Sequence, residues 1–360
     1  MKKKDWLKIL IFAVIIAGLT VGASFFLHVP EARDTVGMYG FYLEDKNSID
    51  VILIGPSPVY TDFYSPQAYE EQGFTSYGVS TGGMSGAMYP SAVREALQTQ
   101  DPELFVVDLS GFCDIDQRDS AAVRRWIDSI PKSENRTQSI EELVSDEEKD
   151  SYRTPFTKYH SNWGRLKGCW KALTDKADQK KRGYSVTKNF CAYTDICEEE
   201  IKEEVYDFSE EGFAALEQFL SFLKQEGIEN VLFVRFPRRN EIMNGETYSK
   251  GIDLIRSENY EVLDYCSNTY NGHKNDLCLD INKDFYDAEH VNIFGAEKLT
   301  RDLAEYIEAL LPEPKEGQDL TAAWEEAAAQ NRLVFEKAKE LTQKRMNQGL
   351  YTQRDFLNQP

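Results

Sequence analysis

The chain has 360 residues, of which 41% are hydrophobic and 12% aromatic, so it has enough apolar side chains for a large buried core and is not of the disordered class. Its 61 acidic and 41 basic residues give a net charge of −20. Nucleic-acid-binding proteins carry a basic face, so this balance argues against that class and offers no electrostatic attraction to anionic lipid or teichoic acid.

The first thirty residues predict a membrane anchor. Four lysines within the first eight residues precede Ile9 to Leu27, nineteen residues without a charge. About 20 apolar residues span a bilayer as a helix, and the lysines predict a cytoplasmic N-terminus with the rest of the chain outside the membrane. A cleaved signal peptide, with its cleavage site at 21–23, is the alternative. The apolar run continues beyond that site, which favours an uncleaved anchor.

Apolar runs and helix-like segments alternate between residues 50 and 311. The predicted strands are 50–54, 74–79, 104–109, 231–234 and 260–265, and the predicted helices are 65–72, 85–99, 210–225 and 293–311. The strand runs are continuously apolar, which is typical of a parallel sheet with helices on both faces. The sequence therefore predicts a three-layer α/β domain whose ligands bind at the carboxyl ends of the strands.

Two further regions interrupt or extend this pattern, so we divide the chain into 1–30, 31–312 and 313–360. Residues 113–205 are charged and contain helical pieces, and we predict that they form an insertion, a cap beside the site. Residues 318–348 predict a separate amphipathic helix, which either packs back onto the domain or docks to a partner. Its apolar side is formed by Trp324, Ala327, Ala328, Phe335, Ala338 and Leu341.

Six cysteines lie outside the predicted anchor. An exported location permits disulfides, and the pairs Cys191/Cys197 and Cys266/Cys278 are close enough in sequence to form them. Free buried thiols are the alternative. The chain has no Cys-x-x-Cys motif and its four histidines have no paired spacing, so the sequence predicts neither a metal site nor a cofactor.

A serine and a distant Asp-x-x-His pair carry the candidate chemistry. Ser57 lies in a tight turn directly after the first predicted strand, and Asp287 and His290 lie just before the last predicted helix. At a spacing of three residues, the acid and the histidine can share one face of a helical turn. The carboxylate then holds the imidazole tautomer and leaves the other ring nitrogen as a base for the serine. A structural turn, and a helix start with Asp287 as its N-cap, form the alternative interpretation.

These residues resemble the conserved blocks of the SGNH/GDSL hydrolase superfamily. Ile54-Gly55-Pro56-Ser57 is similar to its first block, Gly82-Gly83 to its glycine block, and Asp287-Ala288-Glu289-His290 to its last block. The resemblance covers about residues 48–312, and the last block is its specific part. It implies a flavodoxin-like α/β/α fold.

Two longer segments are similar to one bacterial branch of that superfamily, residues 278–300 and 159–166. The branch is related to membrane-anchored proteins of teichoic acid D-alanylation and alginate O-acetylation. His160 and Trp163 lie in the second segment. We interpret them as packing residues of the insertion, with a wall of the substrate site as the alternative.

The resemblance implies a role for each site residue. Ser57 is the nucleophile, His290 the general base and Asp287 its orienting partner. The backbone N–H groups of Ser57 and Gly83 form the oxyanion hole, beside Gly82. An α/β-hydrolase instead uses the N–H of the residue after the nucleophile. Here that residue is Pro58, which has no N–H but suits the first turn of a helix.

The resemblance also implies a function, namely transfer of an acyl group through an acyl-serine to a cell-envelope polysaccharide or teichoic acid. A multi-spanning membrane O-acyltransferase would be the partner that delivers the acyl group. An envelope carbohydrate esterase is one alternative, and a non-catalytic scaffold with the SGNH fold is another. The scaffold alternative arises because Pro56 and Pro58 flank the serine and because the Gly-x-Asn-Asp block is absent. After the third predicted strand the chain has Ser110-Gly111-Phe112 instead.

Overall fold

The computed structural model describes residues 3–27, 32–113, 116–118, 120–153, 163–170, 174, 187–266, 269–270, 273–274, 277–312 and 321–348. His160, one of the two candidate wall residues, lies outside these ranges.

The helices, in chain order, are α1 Lys3–Leu27, α2 Ala32–Phe41, α3 Ser57–Thr61, α4 Ser65–Gln72, α5 Tyr89–Ala96, α6 Ser120–Ser129, α7 Glu134–Leu143, α8 Asp146–Arg153, α9 Glu210–Glu226, α10 Glu246–Ser257, α11 Ile293–Glu308 and α12 Thr321–Gln348. The strands are β1 Val51–Gly55, β2 Ser76–Ser80, β3 Leu104–Asp108, β4 Glu203–Tyr206, β5 Val231–Arg235, β6 Glu241–Asn244, β7 Glu261–Asp264, β8 Thr269–Tyr270 and β9 His273–Lys274.

A five-stranded parallel sheet forms the centre of the molecule, with strand order β2-β1-β3-β5-β7. Its members are the five predicted strands, so the predicted parallel sheet is confirmed. The order reverses at β1, which makes the sheet doubly wound and leaves a crevice at the carboxyl ends of β1 and β3. Two small sheets were not predicted from the sequence: the parallel pair β4–β6 and the hairpin β8–β9.

Both faces of the sheet are covered, because successive strand residues point to opposite sides. On one side Ile52 and Ile54 pack with residues of α2, α5, α6, α9 and α10. On the other side Val51 and Leu53 pack with residues of α3, α4 and α11. This arrangement explains why β1 and most of β3 and β5 are continuously apolar rather than apolar at alternate positions.

Two helices end as their sequences predict. α4 ends at Gly73 and α9 at Gly227, and both glycines have a left-handed backbone, with φ of 85° and 69°. Residues with a side chain rarely adopt that conformation, so glycine at this position ends a helix at low cost. The predicted helix 85–99 is shorter than expected, a 3₁₀ turn at Gly86–Met88 followed by α5.

The described part of the predicted insertion, between 113 and 205, belongs to the core as well as to the edge of the site. α6 buries Trp126 completely, and the indole Nε1 donates a hydrogen bond of 2.8 Å to Ser91 Oγ of α5. Residues 187–206 instead run along the carboxyl edge of the sheet and end in β4. The six cysteines, all within the described ranges, are present as thiols.

α1 has a length and composition suited to crossing a membrane, and a signal sequence would have the same features. Its 25 residues extend about 37 Å at 1.5 Å per residue, enough for a hydrocarbon core of about 30 Å. Its apolar side chains, from Leu7 to Phe25, are largely exposed in the structure.

α12 packs back onto the domain, one of the two alternatives that its sequence leaves open. Trp324, Phe335 and Ala338 are buried. Lys188 lies with its ammonium 4.0 Å from the centre of the Trp324 ring, and the same ammonium is 2.7 Å from a carboxylate oxygen of Glu44.

This packing predicts how the chain responds to a charge in the α12 interface. Ala338→Asp places a carboxylate at a fully buried position, and we expect it to lower the free energy of unfolding by about 3 kcal/mol, because an unpaired buried charge is costly. Ala329→Asp, on the exposed side of the same helix, is the matched control and should change stability little. Urea unfolding of both variants makes the comparison. Equal stability would contradict the packing of α12.

Candidate active site

Ser57 lies at the carboxyl end of β1, in the crevice of the doubly wound sheet. It is the first residue of α3, so its backbone N–H has no acceptor within that helix. Pro58 lies in the first turn of α3, as predicted. Glycine at position 55 lets the backbone of β1 lie close to the side chains of Asp108 and Val59. A Cβ atom there would lie 2.6 Å from Asp108 Cβ and 2.8 Å from Val59 Cγ2.

His290 joins Ser57 to Asp287 in a continuous line of hydrogen bonds. Its Nε2 lies 2.6 Å from Ser57 Oγ, and its Nδ1 lies 2.9 and 3.0 Å from the two carboxylate oxygens of Asp287. The carboxylate requires a proton on Nδ1, which leaves Nε2 as an acceptor for the serine hydroxyl. The geometry is that of a nucleophile, a base and an orienting acid.

The loop that carries Asp287 and His290 is not a helical turn, so that expectation is wrong. Asp287 Oδ1 accepts hydrogen bonds from the N–H groups of Glu289, at 2.8 Å, and His290, at 2.9 Å. The carboxylate thus closes a turn of its own, as aspartate often does. The N-cap of α11 is Asn292, whose side chain accepts from the N–H of Phe294 at 3.0 Å. The alternative with Asp287 as the N-cap is therefore also wrong.

The surroundings of His290 make it a stronger base than a free histidine. Burial disfavours the imidazolium, but the hydrogen bond from Nδ1 to Asp287 and the negative charge of Asp287 outweigh burial and raise the pKa of His290 above its usual 6.5, and an ionised Asp62 would raise it further. For Asp287, burial acts to raise the pKa, but the hydrogen bonds from His290 and from the Glu289 N–H outweigh it and lower the pKa. The pair therefore favours an ionised acid beside a basic imidazole.

Asp62 is a fourth residue at the site, and the sequence analysis does not include it. It directly follows α3, is completely buried, and lies close enough to His290 for the two charges to interact. Burial raises the pKa of Asp62 well above its usual value. Its Oδ2 has no hydrogen-bond partner among the described residues, so nothing stabilises an ionised form at that oxygen.

The contacts of Asp62 fit a neutral carboxylic acid. Thr61 Oγ1 lies 2.6 Å from Asp62 Oδ1 and 3.0 Å from the backbone oxygen of Ser57. A single hydroxyl hydrogen cannot serve two acceptors well. If Asp62 is protonated, it donates to Thr61, and Thr61 donates to the Ser57 carbonyl. Asp62 then helps to hold the backbone of Ser57 in place.

Gly82 and Gly83 lie beside Ser57 at the end of β2. Arg125 of α6 donates from Nε to the Gly82 oxygen at 2.9 Å. In a trans peptide the C=O and the next N–H point in opposite directions, so this bond turns the Gly83 N–H away from Arg125. Gly83 lines the same cavity as Ser57 and has a left-handed φ of 70°. The two backbone N–H groups are thus available for an oxyanion.

The Gly-x-Asn-Asp block, which would supply a third hydrogen-bond donor to an oxyanion, is absent from this chain. The residues after β3 differ from that block in chemistry. Ser110 follows β3, and its hydroxyl donates to Asp108 Oδ2 at 2.7 Å, so that hydrogen is already used. Asp108 is completely buried, and burial raises its pKa to about 6 despite hydrogen bonds from Ser110 and the charges of Arg238 and His290.

A cavity of about 340 Å³ opens beside the serine. Arg238 is one of the residues that line it. Its guanidinium forms an ion pair with Glu289 and a second one, of 3.2 Å, with Glu204, and it lies 5.4 Å from the centre of the Tyr206 ring. Trp163 is half exposed and is not among the lining residues. Residues of β4, namely Glu204, Val205 and Tyr206, line this side of the cavity instead. The lining residues are Pro56, Ser57, Pro58, Gly83, Asp108, Ser110, Cys113, Glu204, Val205, Tyr206, Asp207, Phe236, Arg238 and Glu289.

Among the described residues, no group of three or more His, Cys, Asp or Glu side chains is arranged to hold a metal ion. A scan against models of known protein families finds no match to this chain, and a search of curated proteins finds no similar sequence. The functional assignment therefore depends on the geometry of the site.

The hydrogen-bonded line predicts how the histidine titrates. We expect His290 to titrate above pH 6.5 in the full chain and Asp287→Asn to lower that pKa, because the mutation removes the negative charge that stabilises the imidazolium. Asp62→Asn should lower it less, since burial favours the neutral acid at that position. NMR of the histidine ring carbons, with the His290 signal assigned by its loss in His290→Gln, measures the shift. An unchanged pKa in Asp287→Asn would contradict the arrangement.

Proposed function

We propose that the chain is a membrane-anchored serine acyltransferase of SGNH type that modifies a cell-envelope polymer. The single observation that carries the proposal is the line Ser57–His290–Asp287, with contacts of 2.6 and 2.9 Å. The order of the central strands, which is that of flavodoxin-like sheets, supports the SGNH-type fold. The similarity of residues 278–300 to the membrane-anchored branch supports the choice of reaction.

In the first half of the reaction, Ser57 Oγ attacks the carbonyl carbon of an acyl donor while His290 Nε2 takes the hydroxyl proton. The N–H groups of Ser57 and Gly83 stabilise the oxyanion, each contributing about 3 kcal/mol in the transition state. The intermediate collapses to an acyl-serine, and the leaving group departs with the proton held by His290.

In the second half, a hydroxyl group of the acceptor gives its proton to His290 and attacks the acyl-serine. Collapse of that intermediate returns the proton to Ser57 Oγ and releases the acylated acceptor. Asp287 stabilises the imidazolium each time it forms. Because the same steps proceed with water in place of the acceptor, hydrolysis is a natural side reaction, and the half-buried Ser57 does not exclude it.

The cavity chemistry favours an uncharged, hydroxyl-bearing acceptor. Glu204, Asp207 and Glu289 line it, and the one arginine is already paired with two of these acids. A phosphate-rich teichoic acid would meet net negative charge there, whereas sugar hydroxyls find both donors and acceptors. A polysaccharide is therefore the better fit of the two acceptors that the resemblance suggests.

The anchor and the delivery partner complete the proposal. α1 retained as a membrane span, with its lysine end in the cytoplasm, holds the domain outside the membrane. A multi-spanning O-acyltransferase would present the acyl donor there. The esterase alternative uses the same residues but needs no such partner, while the scaffold alternative gives no reason for a serine at 2.6 Å from an imidazole held by a carboxylate.

A fluorophosphonate probe tests the nucleophile. The full chain in detergent should be labelled at Ser57, and Ser57→Ala should abolish labelling. Loss of the base in His290→Ala should slow labelling by about 10³-fold or more. Ser249→Ala, an exposed serine of α10, is the control and should label like the wild type. Labelling that persists in Ser57→Ala, or a folded wild type that is never labelled, would contradict the catalytic proposal.

Transfer and hydrolysis are separated by the fate of the acyl-serine. With an activated acyl ester and no acceptor, we expect the chain to accumulate acyl-Ser57, measured by mass spectrometry of the intact protein, and to lose it when a neutral oligosaccharide is added. Continuous turnover without acceptor would assign the esterase function instead. In cells, Ser57→Ala at normal protein levels should remove the envelope acylation.

A further inference from the structure

Residues 163–170 form an exposed segment whose composition differs from the rest of the surface. Trp163, Leu166 and Trp170 are 50%, 55% and 64% exposed, and residues 166–170 are helical. Between these apolar side chains lie two exposed basic residues, Arg165 and Lys167. Large apolar side chains clustered on a surface mark a contact with another phase or molecule.

This segment lies against the end of α1. The rings of Phe26 and Trp170 are 6.5 Å apart, and Leu27 is buried in contact with Cys169. Cys169 is the one buried residue of the segment, so the side of the short helix that carries it faces α1. Leu166 and Trp170, four residues apart, share one face and are both exposed.

The location fixes the depth of the segment relative to a bilayer. α1 matches the thickness of the hydrocarbon core, so Phe26 and Leu27 at its C-terminal end lie at a membrane surface when α1 spans. Side chains that touch this end lie at the same depth. That is the boundary region, where tryptophan is enriched and where basic residues meet anionic headgroups.

We propose that residues 163–170 lie on the membrane surface where α1 leaves the bilayer and form a second lipid contact for the domain. Trp163, Leu166 and Trp170 enter the boundary between headgroups and acyl chains, while Arg165 and Lys167 contact lipid phosphates. The segment limits how the domain tilts over the membrane. Trp163 is then a lipid-contacting residue rather than part of a substrate wall. The inference depends on retention of α1 and is independent of the chemistry at Ser57.

Tryptophan fluorescence in bilayer nanodiscs tests the proposal with the full chain. The discs contain phosphatidylcholine and phosphatidylglycerol, with and without bromine atoms on the acyl chains near the headgroups. Trp6 lies within α1 and is replaced in a Trp6→Phe background, while Trp126 and Trp324 are buried in the domain. We expect brominated lipid to quench the remaining emission, and the further changes Trp163→Phe and Trp170→Phe to remove that quenching.

Charge reversal provides a second measurement that leaves the apolar residues in place. Arg165→Glu with Lys167→Glu changes two exposed side chains, and we expect it to weaken the lipid quenching of Trp163 and Trp170. Emission that is insensitive to brominated lipid but open to aqueous acrylamide would overturn the proposal. Emission shielded from both quenchers would also overturn it, since the segment would then contact a protein partner.

Discussion

The side chain of Asn292 joins the three segments that hold His290 in position. Its amide nitrogen donates to the backbone oxygen of Lys283 at 2.5 Å and lies 3.3 Å from that of Asp195, while its Oδ1 caps α11. The residue is completely buried. Each of those backbone groups would cost about 1–3 kcal/mol if left buried without a partner. The Asn292 amide thus joins the loop of Asp287 and His290, the segment around Asp195 and α11.

The same constraint extends outward to the C-terminal helix. Arg345 of α12 forms a buried ion pair with Asp195 and donates to Thr194 Oγ1 at 3.0 Å. The neighbouring Tyr193 accepts the Ile293 N–H at 2.8 Å and packs its ring edge against His290, with centroids 5.5 Å apart. α12, which follows the domain in sequence, therefore supports His290, the proposed general base, through the 187–206 segment. The contacts of Arg345 with Asp195 and Thr194 thus stabilise the packing of α12 against the domain.

The sequence was most informative where periodicity or a single residue type decides the structure. Apolar strand-like segments predicted all five central strands, and the glycines after α4 and α9 predicted their ends. The pairing of Ser57 with Asp287 and His290 was predicted from the serine in its turn, the Asp-x-x-His spacing and the resemblance that these motifs carry. The β4–β6 pair was missed because Glu203–Tyr206 and Glu241–Asn244 are short and mostly exposed apart from Tyr206, so neither carries a clear apolar pattern.

Residues whose role depends on tertiary burial could not be identified in this way. Asp62 follows a helix of five residues, and nothing in its sequence context distinguishes it from a surface aspartate. Asp108 offered a weak signal, a charge at the end of an apolar strand. The turn at Asp287 was assigned to a helix because a three-residue spacing fits both structures. Trp163 was interpreted as a packing residue, with a place in the substrate wall as the alternative, and no pattern in the sequence indicated its exposure.

Three aspartate carboxyl groups, those of Asp287, Asp62 and Asp108, interact with His290. Their burial and hydrogen bonds give them different pKa values. Asp287 is ionised because it accepts N–H groups as well as the imidazole. Burial raises the pKa of Asp62 well above its usual value and that of Asp108 to about 6.

If all three groups were ionised, their combined field would favour the protonated imidazole more strongly than Asp287 alone does. With Asp62 neutral, Asp287 is the anion that is hydrogen-bonded to the imidazole and orients it. A proton on His290 favours the ionised form of nearby carboxyl groups, and Asp287, which is already ionised, is the one hydrogen-bonded to the ring. The burial of Asp62 and Asp108 is therefore part of what sets the basicity of His290, on which the proposed role of Ser57 depends.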